Sequence, residues 1–360
     1  MPRLATRLVL QAYKHDHLLP LLLRECRSLD CARNELRWLR ERAVRTLELR
    51  PRGERHGTKH AASGWRGLLR AMCLARSRGM PLQYILGDQP FGDLDIKCAK
   101  GVLIPRHETE AITLHAAELI LNRMAHSSGD NPESPLRIMD LCTGTGCIPL
   151  LLHSLLSPYF SQLSIVGIDL SAKAVSLAKE NTSRNVRLGK LSERALAEVV
   201  FRRGNVLEYS KHGFSSSMKG DVSSTSDVSN LVGPRCDVLV SNPPYVSVDE
   251  YRGGTTSRSV RIFEPRLALV PPRITPAYMV DSGRIRHEDI FYSHIANLVL
   301  ALQVRMAILE CGSCLQAMRV AALYEDIFRR LTHVGHVVID VWPVTGVDSD
   351  PCAVIVQFET

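Results

Sequence analysis

Apolar residues follow two different rhythms along this chain. Up to about residue 80 they recur at helical spacing, as where Leu36 and Leu39 fall opposite Arg33, Arg37 and Arg40. That pattern predicts helices over 18–25, 31–49 and 65–78, with a Gly- and charge-rich loop at 51–63. Beyond residue 135, short apolar runs alternate with helical stretches. Strands are predicted near 137–141, 163–169, 199–202, 237–241, 306–310, 334–341 and 352–358. Such alternation predicts an α/β fold, a doubly wound and mostly parallel sheet. The last two strands are separated by a short stretch from Pro343 to Pro351, which predicts an antiparallel pair. Between the two regimes, 89–103 reads as a short β-hairpin with Gly92 and Gly101 near its turns. A helix over 109–124 and a polar connector at 125–135 follow. Residues 210–234 are Ser-rich and aperiodic; they read as a surface insertion rather than a regulatory phosphorylation segment.

Two strand ends carry candidate chemistry. The strand ending at Ser241 runs into Asn242-Pro243-Pro244-Tyr245. A side-chain amide offers both an acceptor and donors, and two prolines contribute carbonyls without N–H groups. Such a set can grip a planar NH2 group, with Tyr245 packed on it, and suits methylation of an amino or amide nitrogen. The plain alternative is a Pro-Pro turn after a strand. The strand ending at Leu141 runs into Cys142-Thr143-Gly144-Thr145-Gly146, followed by an apolar helix over 148–156. Glycines here let the backbone approach a ligand closely. The next strand ends in Asp169, placed to accept both hydroxyls of a ribose. A dinucleotide site shares these features, but its G-x-G-x-x-G/A pattern meets Pro149 at the third position. Asp140, just before the loop, repels phosphate and attracts a cation. A simple βα connection is the bland alternative.

Taken together, Asp140 to Gly146, Asp169 and Asn242 to Tyr245 resemble a class I S-adenosylmethionine-dependent methyltransferase. Pro81-Leu-Gln-Tyr-Ile-Leu-Gly87, Phe91-Gly92 and Val102-Leu-Ile-Pro-Arg-His-Glu-Thr-Glu110 narrow this. They are similar to the HemK/PrmC family of protein-(glutamine-N5) methyltransferases of translation release factors, from about Leu36 onward. Ala32-Arg-Asn-Glu-Leu-Arg-Trp38 and the Cys-Thr-Gly-Thr-Gly variant resemble its fungal mitochondrial branch.

The resemblance implies a seven-stranded sheet with a reversed last strand, preceded by a small helical domain. It divides the chain into a helical substrate-recognition domain at 1–80, a hairpin linker at 81–108 and a methyltransferase domain at 109–360. It implies S-adenosyl-L-methionine as cofactor, with Asp140, Cys142, Thr143, Gly144, Thr145, Gly146, Asp169, Asn205, Val206 and Asn242 around it. Substrate binding and catalysis fall to Asn242, Pro243, Pro244 and Tyr245. The implied substrate is the glutamine of the Gly-Gly-Gln loop of a class I release factor. Two departures stand out: Asn205 where the family usually has an acidic residue, and His107 where it usually has proline. Glu108 and Glu110 either orient the site or cap their helix. Glu264-Pro265 is expected to brace the site from behind, and the polar loop at 252–259 to shape its mouth.

Composition refines the picture. The chain has 360 residues, 45% hydrophobic and 23% charged, long enough for two domains. No apolar run reaches the ~18 residues a membrane span needs. Ten scattered cysteines predict free thiols in a reducing compartment, and the lone Cys311-Gly-Ser-Cys314 predicts no metal site. The charge is uneven: residues 1–80 hold 18 basic and 7 acidic residues, and the remainder 27 and 30. A basic first domain suggests an anionic partner or a well-solvated helical face. Residues 1–15 carry Arg3, Arg7 and Lys14 with no acid, as a mitochondrial transit peptide does; a cytoplasmic location is the alternative. A monomer is expected. Two other functions stay open: a nucleic-acid amino-methyltransferase acting on adenine N6 or guanine N2 after base flipping, and a binding protein without turnover.

Overall fold

The computed structural model describes residues 4–48, 64–124, 135–208, 235–273, 285–330, 336–343 and 352–359. The expected loop at 51–63, the connector at 125–134, the Ser-rich stretch at 210–234 and the turn between the last two strands lie outside these residues. Two compact units emerge: residues 1–88 with 257–263, and residues 89–256 with 264–360.

The first unit is helical: α1 (Thr6–His15), α2 (Leu19–Cys26), α3 (Leu29–Glu48), α4 (Gly64–Ser77) and the short α5 (Leu82–Leu86). Its core gathers Ala12, Leu19, Leu22, Leu23, Leu39 and Leu69, with Leu4 and Leu8 packed against it. The segment with transit-peptide composition therefore contributes a packed helix. Arg33, Arg37 and Arg40 lie on the exposed face of α3, while Leu36 and Leu39 are buried. One charge is inside: Glu35 is 5% exposed, and both its oxygens accept from Arg76, at 2.8 and 2.9 Å. This bidentate geometry gives the buried carboxylate a charged partner for both oxygens.

The second unit opens on a hairpin, β1 (Asp88–Phe91) and β2 (Leu94–Lys97), turning at Gly92. Then come α6 (His107–Met124), β3 (Leu136–Leu141), α7 (Cys147–Leu156), β4 (Leu163–Asp169), α8 (Ala172–Arg187), α9 (Ala195–Glu198), β5 (Val199–Arg203) and β6 (Val238–Ser241). After α10 (Val248–Gly253), and α11 (Arg258–Phe263) of the first unit, follow α12 (Ile290–Ala301), β7 (Met306–Cys311), α13 (Cys314–Arg329), β8 (Val337–Pro343) and β9 (Cys352–Phe358). The sheet order is β5-β4-β3-β6-β7-β9-β8. All pairs are parallel except those of β9 with β7 and with β8. This is the class I methyltransferase sheet with its reversed last strand, as expected. Strands β3, β6 and β7 are buried on both faces, which explains their mostly apolar sequences, interrupted by Arg137 and Asp140 in β3, Ser241 in β6 and Glu310 in β7.

One observation corrects the cysteine reading. Cys314 is not a free thiol beside Cys311 but is joined to Cys352 by a disulfide, with Cα atoms 5.3 Å apart. The partner was hidden by a separation of 38 residues: β9 runs antiparallel to β7, which sets Cys352 opposite Cys311, next to the start of α13. One cluster of potential metal ligands occurs among the described residues, Cys26, Cys31 and Glu35. Both Glu35 oxygens are already held by Arg76.

Candidate active site

A cavity of about 480 Å³ opens at the C-terminal ends of the parallel strands. That is the size and place of a small-molecule site in an open α/β sheet. On one side lies the glycine loop. Cys142 takes a left-handed backbone, φ 63°, as do Gly144 and Gly146, φ 56° and 79°. A Cβ on Gly146 would lie 2.8 Å from the Phe201 ring and 2.9 Å from Ala178, so no larger residue fits that turn. Thr143 N–H donates to Ile168 O at 3.0 Å, and the Asn181 side chain of α8 donates to Thr145 O at 2.9 Å. The same Asn181 accepts from Lys97 N–H of the hairpin at 2.7 Å, so the loop is anchored from two directions. Pro149 sits in the first turn of α7, where a missing N–H breaks no helical bond.

Asp169 ends β4 facing the cavity. Its Oδ2 accepts from Gly144 N–H at 2.9 Å and its Oδ1 from Ser171 N–H at 2.8 Å. Burial raises its pKa, and the two backbone donors oppose that rise. Each oxygen keeps a lone pair for a hydroxyl. Asn205 and Val206 line the cavity further along. The Asn205 amide already donates to Glu208 at 2.9 Å and accepts from Leu207 N–H at 3.1 Å, which closes a local turn.

Asn242 and Pro244 form the opposite wall. Ser241 pins this strand end beside the glycine loop: its hydroxyl donates to Leu141 O at 2.9 Å. Asn242 Nδ2 donates to Thr109 Oγ1 at 3.0 Å, which leaves Oδ1 as its free acceptor. Pro243 is buried and does not line the cavity, and neither does Tyr245. The Tyr245 ring packs against Gly312, and its hydroxyl donates to Glu310 at 3.3 Å. Burial first, then the nearby Glu310 charge, pushes the Tyr245 phenol well above its ordinary range, so it stays protonated.

Asp140 and Gly146 also lie behind the lining. Asp140 is fully buried, and neither oxygen has a hydrogen-bond partner. Burial, with Asp169 and Glu310 nearby, pushes its pKa to about 8 against a partial counter-effect from Thr143. Glu264 is 6% exposed and accepts from Ile104 N–H at 3.2 Å and from Arg106 at 2.8 Å, so it braces the segment before α6.

Thr109 and Arg106 escaped the sequence reading, which singled out Glu108 and Glu110 instead. The two glutamates sit in the first turn of α6 and do not line the cavity. A signal for Thr109 was present: it starts the buried stripe that continues through Ile112, Thr113, Ala116 and Ala117. A hydroxyl on such a stripe needs a partner.

Comparison with known proteins now bears on the site. No protein-family model matches. The mitochondrial MRF1 N(5)-glutamine methyltransferase MTQ1 of Saccharomyces cerevisiae is 36% identical over 271 residues, 75% of this chain and 68% of its own length. A probable MRF1 mitochondrial N(5)-glutamine methyltransferase of Schizosaccharomyces pombe is 33% identical, covering 71% of each chain. This chain belongs to the N5-glutamine methyltransferase family of release factors. A release factor glutamine methyltransferase of Pasteurella multocida is 34% identical over 208 residues, 56% of this chain and 57% of its own. Of these three N5-glutamine methyltransferases, the two mitochondrial ones match over the longer stretch.

Proposed function

We propose that this N5-glutamine methyltransferase transfers the methyl group of S-adenosyl-L-methionine to the side-chain amide nitrogen of the glutamine in the Gly-Gly-Gln loop of a mitochondrial class I release factor. The observation that carries the reading is Asn242: it stands on the cavity wall with its Nδ2 tied to Thr109 and its Oδ1 free. That acceptor suits the NH2 of an incoming primary amide.

The residues fit the cofactor. Asp169 is held by two backbone donors and suits a ribose diol. Cys142, Thr143, Gly144 and Thr145 line the cavity with backbone and small side chains, and Asn205 and Val206 lie toward its far end, suited to adenine. The buried Asp140 carboxyl under the loop has no hydrogen-bond partner; a cationic ligand beside it favours its ionised form, and a phosphate opposes it. When bound, S-adenosylmethionine supplies an electrophilic methyl group on a sulfonium.

An amide nitrogen is a poor nucleophile because its lone pair is delocalised into the carbonyl. Asn242 Oδ1, the free acceptor on the cavity wall, holds the substrate NH2 in line for attack. It also stabilises the positive charge that grows on the nitrogen. Pro244 flanks this position, while Tyr245 supports the turn from behind. The substrate nitrogen then loses a proton, and no strong base is needed before attack.

The basic first unit is the substrate-recognition domain in this reading. The mitochondrial relatives and the basic, acid-free composition of residues 1–15 support a mitochondrial location in this reading, and a monomer is supported because all described lining residues of the cavity belong to the second unit. No helix among the described residues is long and apolar enough to cross a membrane.

The test is transfer of labelled methyl to a mitochondrial release factor with its Gly-Gly-Gln glutamine intact or changed to alanine. Label on the intact protein alone supports the reading. Label on added DNA or RNA instead would favour the nucleic-acid amino-methyltransferase.

A further inference from the structure

The turn from Asn242 to Tyr245 has little backbone of its own to hold it. Pro243 and Pro244 bring no N–H groups, so neither can donate to a neighbour. The strand end before the turn is anchored through Ser241, whose hydroxyl donates to Leu141 O. The firmness with which Asn242 and Pro244 are held at the cavity wall then depends on what anchors the other end.

That anchor is the peptide unit joining Tyr245 to Val246. Its N–H, on Val246, donates to Leu269 O at 2.8 Å. Its carbonyl, on Tyr245, accepts from Gln316 Nε2 at 3.3 Å. A peptide unit is planar, so a partner at each end fixes the direction of the plane. Four residues stand between Ser241 and this unit, and two of them are prolines with φ locked at about −65°. The turn is therefore a short, stiff bridge between two fixed ends, with Asn242 and Pro244 on it lining the cavity.

Gln316 is 4% exposed and lies in the first turn of α13. Its setting, Ser313-x-x-Gln316, suggests a capping box, in which the glutamine merely closes the helix start. Ser313 does cap, accepting from Gln316 N–H at 3.2 Å. The Gln316 side chain reaches further. Its Oε1 accepts from Gly312 N–H at 2.9 Å, and a backbone N–H can only donate, so the direction of the amide is fixed. Its Nε2 donates to Asp289 Oδ1 at 2.9 Å, just before α12, and to Tyr245 O, with Glu288 O further off at 3.5 Å. Arg319, which only donates, reaches both Asp289 oxygens, at 2.9 and 3.2 Å, so Asp289 is held as an acceptor for Gln316. A glutamate would satisfy Gly312 equally well; an amide is needed to donate to Tyr245 O as well.

We propose that Gln316 is a positioning residue for methyl transfer: by holding the Tyr245 carbonyl it sets the turn that presents Asn242 and Pro244 to the substrate amide. The inference rests on the methyltransferase reading above and concerns a side chain behind the cavity lining.

The experiment compares wild type with Gln316→Met, Gln316→Glu and Ser313→Ala, and repeats Gln316→Met in an Asn242→Ala background. It measures methyl transfer to the release factor, cofactor affinity by calorimetry and unfolding in urea. Wild-type transfer is established first: its absence would sink the proposed function, whereas the outcomes below bear on Gln316 alone. Gln316→Met keeps the length of the side chain and removes the amide. It should lower kcat about 10- to 100-fold, as misplacement of a gripping group does, with cofactor affinity within about twofold. Gln316→Glu should lower kcat as well, although it keeps an acceptor for Gly312 N–H. Ser313→Ala removes the cap hydroxyl but leaves the bond from Gln316 to Tyr245 O, so it should cost stability and hold kcat within about twofold. In the Asn242→Ala background the grip is already gone, and Gln316→Met should cost less than about threefold more. A merely structural Gln316 would lower transfer by the same factor in both backgrounds. Wild-type kcat in Gln316→Met, an equal kcat loss in Ser313→Ala, or equal factors in the two backgrounds would each overturn the proposal. Should Gln316→Met fail to fold, Gln316→Glu takes its place in every comparison.

Discussion

Asp140→Asn should make the cofactor-free protein more stable while weakening its hold on S-adenosylmethionine. Asp140 is completely buried and neither oxygen is hydrogen-bonded. Its pKa rises from the ordinary 3.8 to about 8, mainly through burial. In the unfolded chain the group titrates at its ordinary value. A raised folded-state pKa gives stability that is fully present below pH 3.8 and is lost as pH climbs through about 8. Over the roughly three pH units between the ordinary value and neutrality, each unit is worth about 1.36 kcal/mol. By pH 7 the wild type has therefore lost on the order of 4 kcal/mol relative to pH 3 through this one group. Asparagine has nearly the same shape and no charge, so it does not titrate. Urea unfolding without cofactor, from pH 5 to 9, should show the variant gaining on wild type as pH rises and levelling off above about 8. Calorimetry above about pH 8, where Asp140 is ionised, should show weaker cofactor binding by the variant, because a cationic ligand loses a nearby negative charge. Equal stability at pH 8, or a difference that does not change with pH, would refute the burial argument. Undiminished affinity would remove Asp140 from the cofactor site.

Three further outcomes follow from local geometry. Asn242→Ala should abolish transfer by at least about 100-fold while cofactor affinity, read by calorimetry, largely persists. Cys142→Gly should raise unfolding stability by about 1 kcal/mol in denaturant titration, because Cys142 holds φ 63° with a Cβ. Gly312→Ala should lower stability by about 1–3 kcal/mol and reduce transfer as well, since the new Cβ would lie 2.8 and 2.9 Å from two Tyr245 ring atoms.

The sheet was legible because its strands are short apolar runs separated by helices. Strand β3, for instance, buries nearly every residue, so no alternation competes with the reading. The wall residues Asn242, Asp169 and Cys142 to Thr145 were legible for a related reason: strand ends at the carboxyl side of a parallel sheet are where ligands sit. What escaped was the role of groups one layer back. Tyr245 looks like a lid in sequence, yet its ring lies against Gly312, 67 residues away. Thr109 is separated from Asn242 by 133 residues, and nothing local in either segment signals the pairing. The Cys314–Cys352 bond escaped similarly, because it depends on the register of a reversed strand.

Strand order explains why the two halves of the reaction meet where they do. From β3 the chain moves outward through β4 to β5, then returns to place β6 on the other side of β3. The crevice at this reversal is where an open parallel sheet accepts ligands. Parallel pairing sets Leu141 opposite Ser241, so Cys142 and Asn242 leave the sheet side by side. The Ser241 hydroxyl fixes that adjacency through Leu141 O. In the proposed function, the cofactor-side residues come from β3 and from the strands on one flank of the reversal, Asp169 from β4 and Asn205 from beyond β5. The substrate-side residues come from the other flank, Asn242 from β6, with Glu310 on β7 behind it. A methyl group passing from one flank to the other need cross only the gap between β3 and β6. The proposed function therefore expects changes at β4 and β5 to act on cofactor binding and changes at β6 and β7 to act on presentation of the amide.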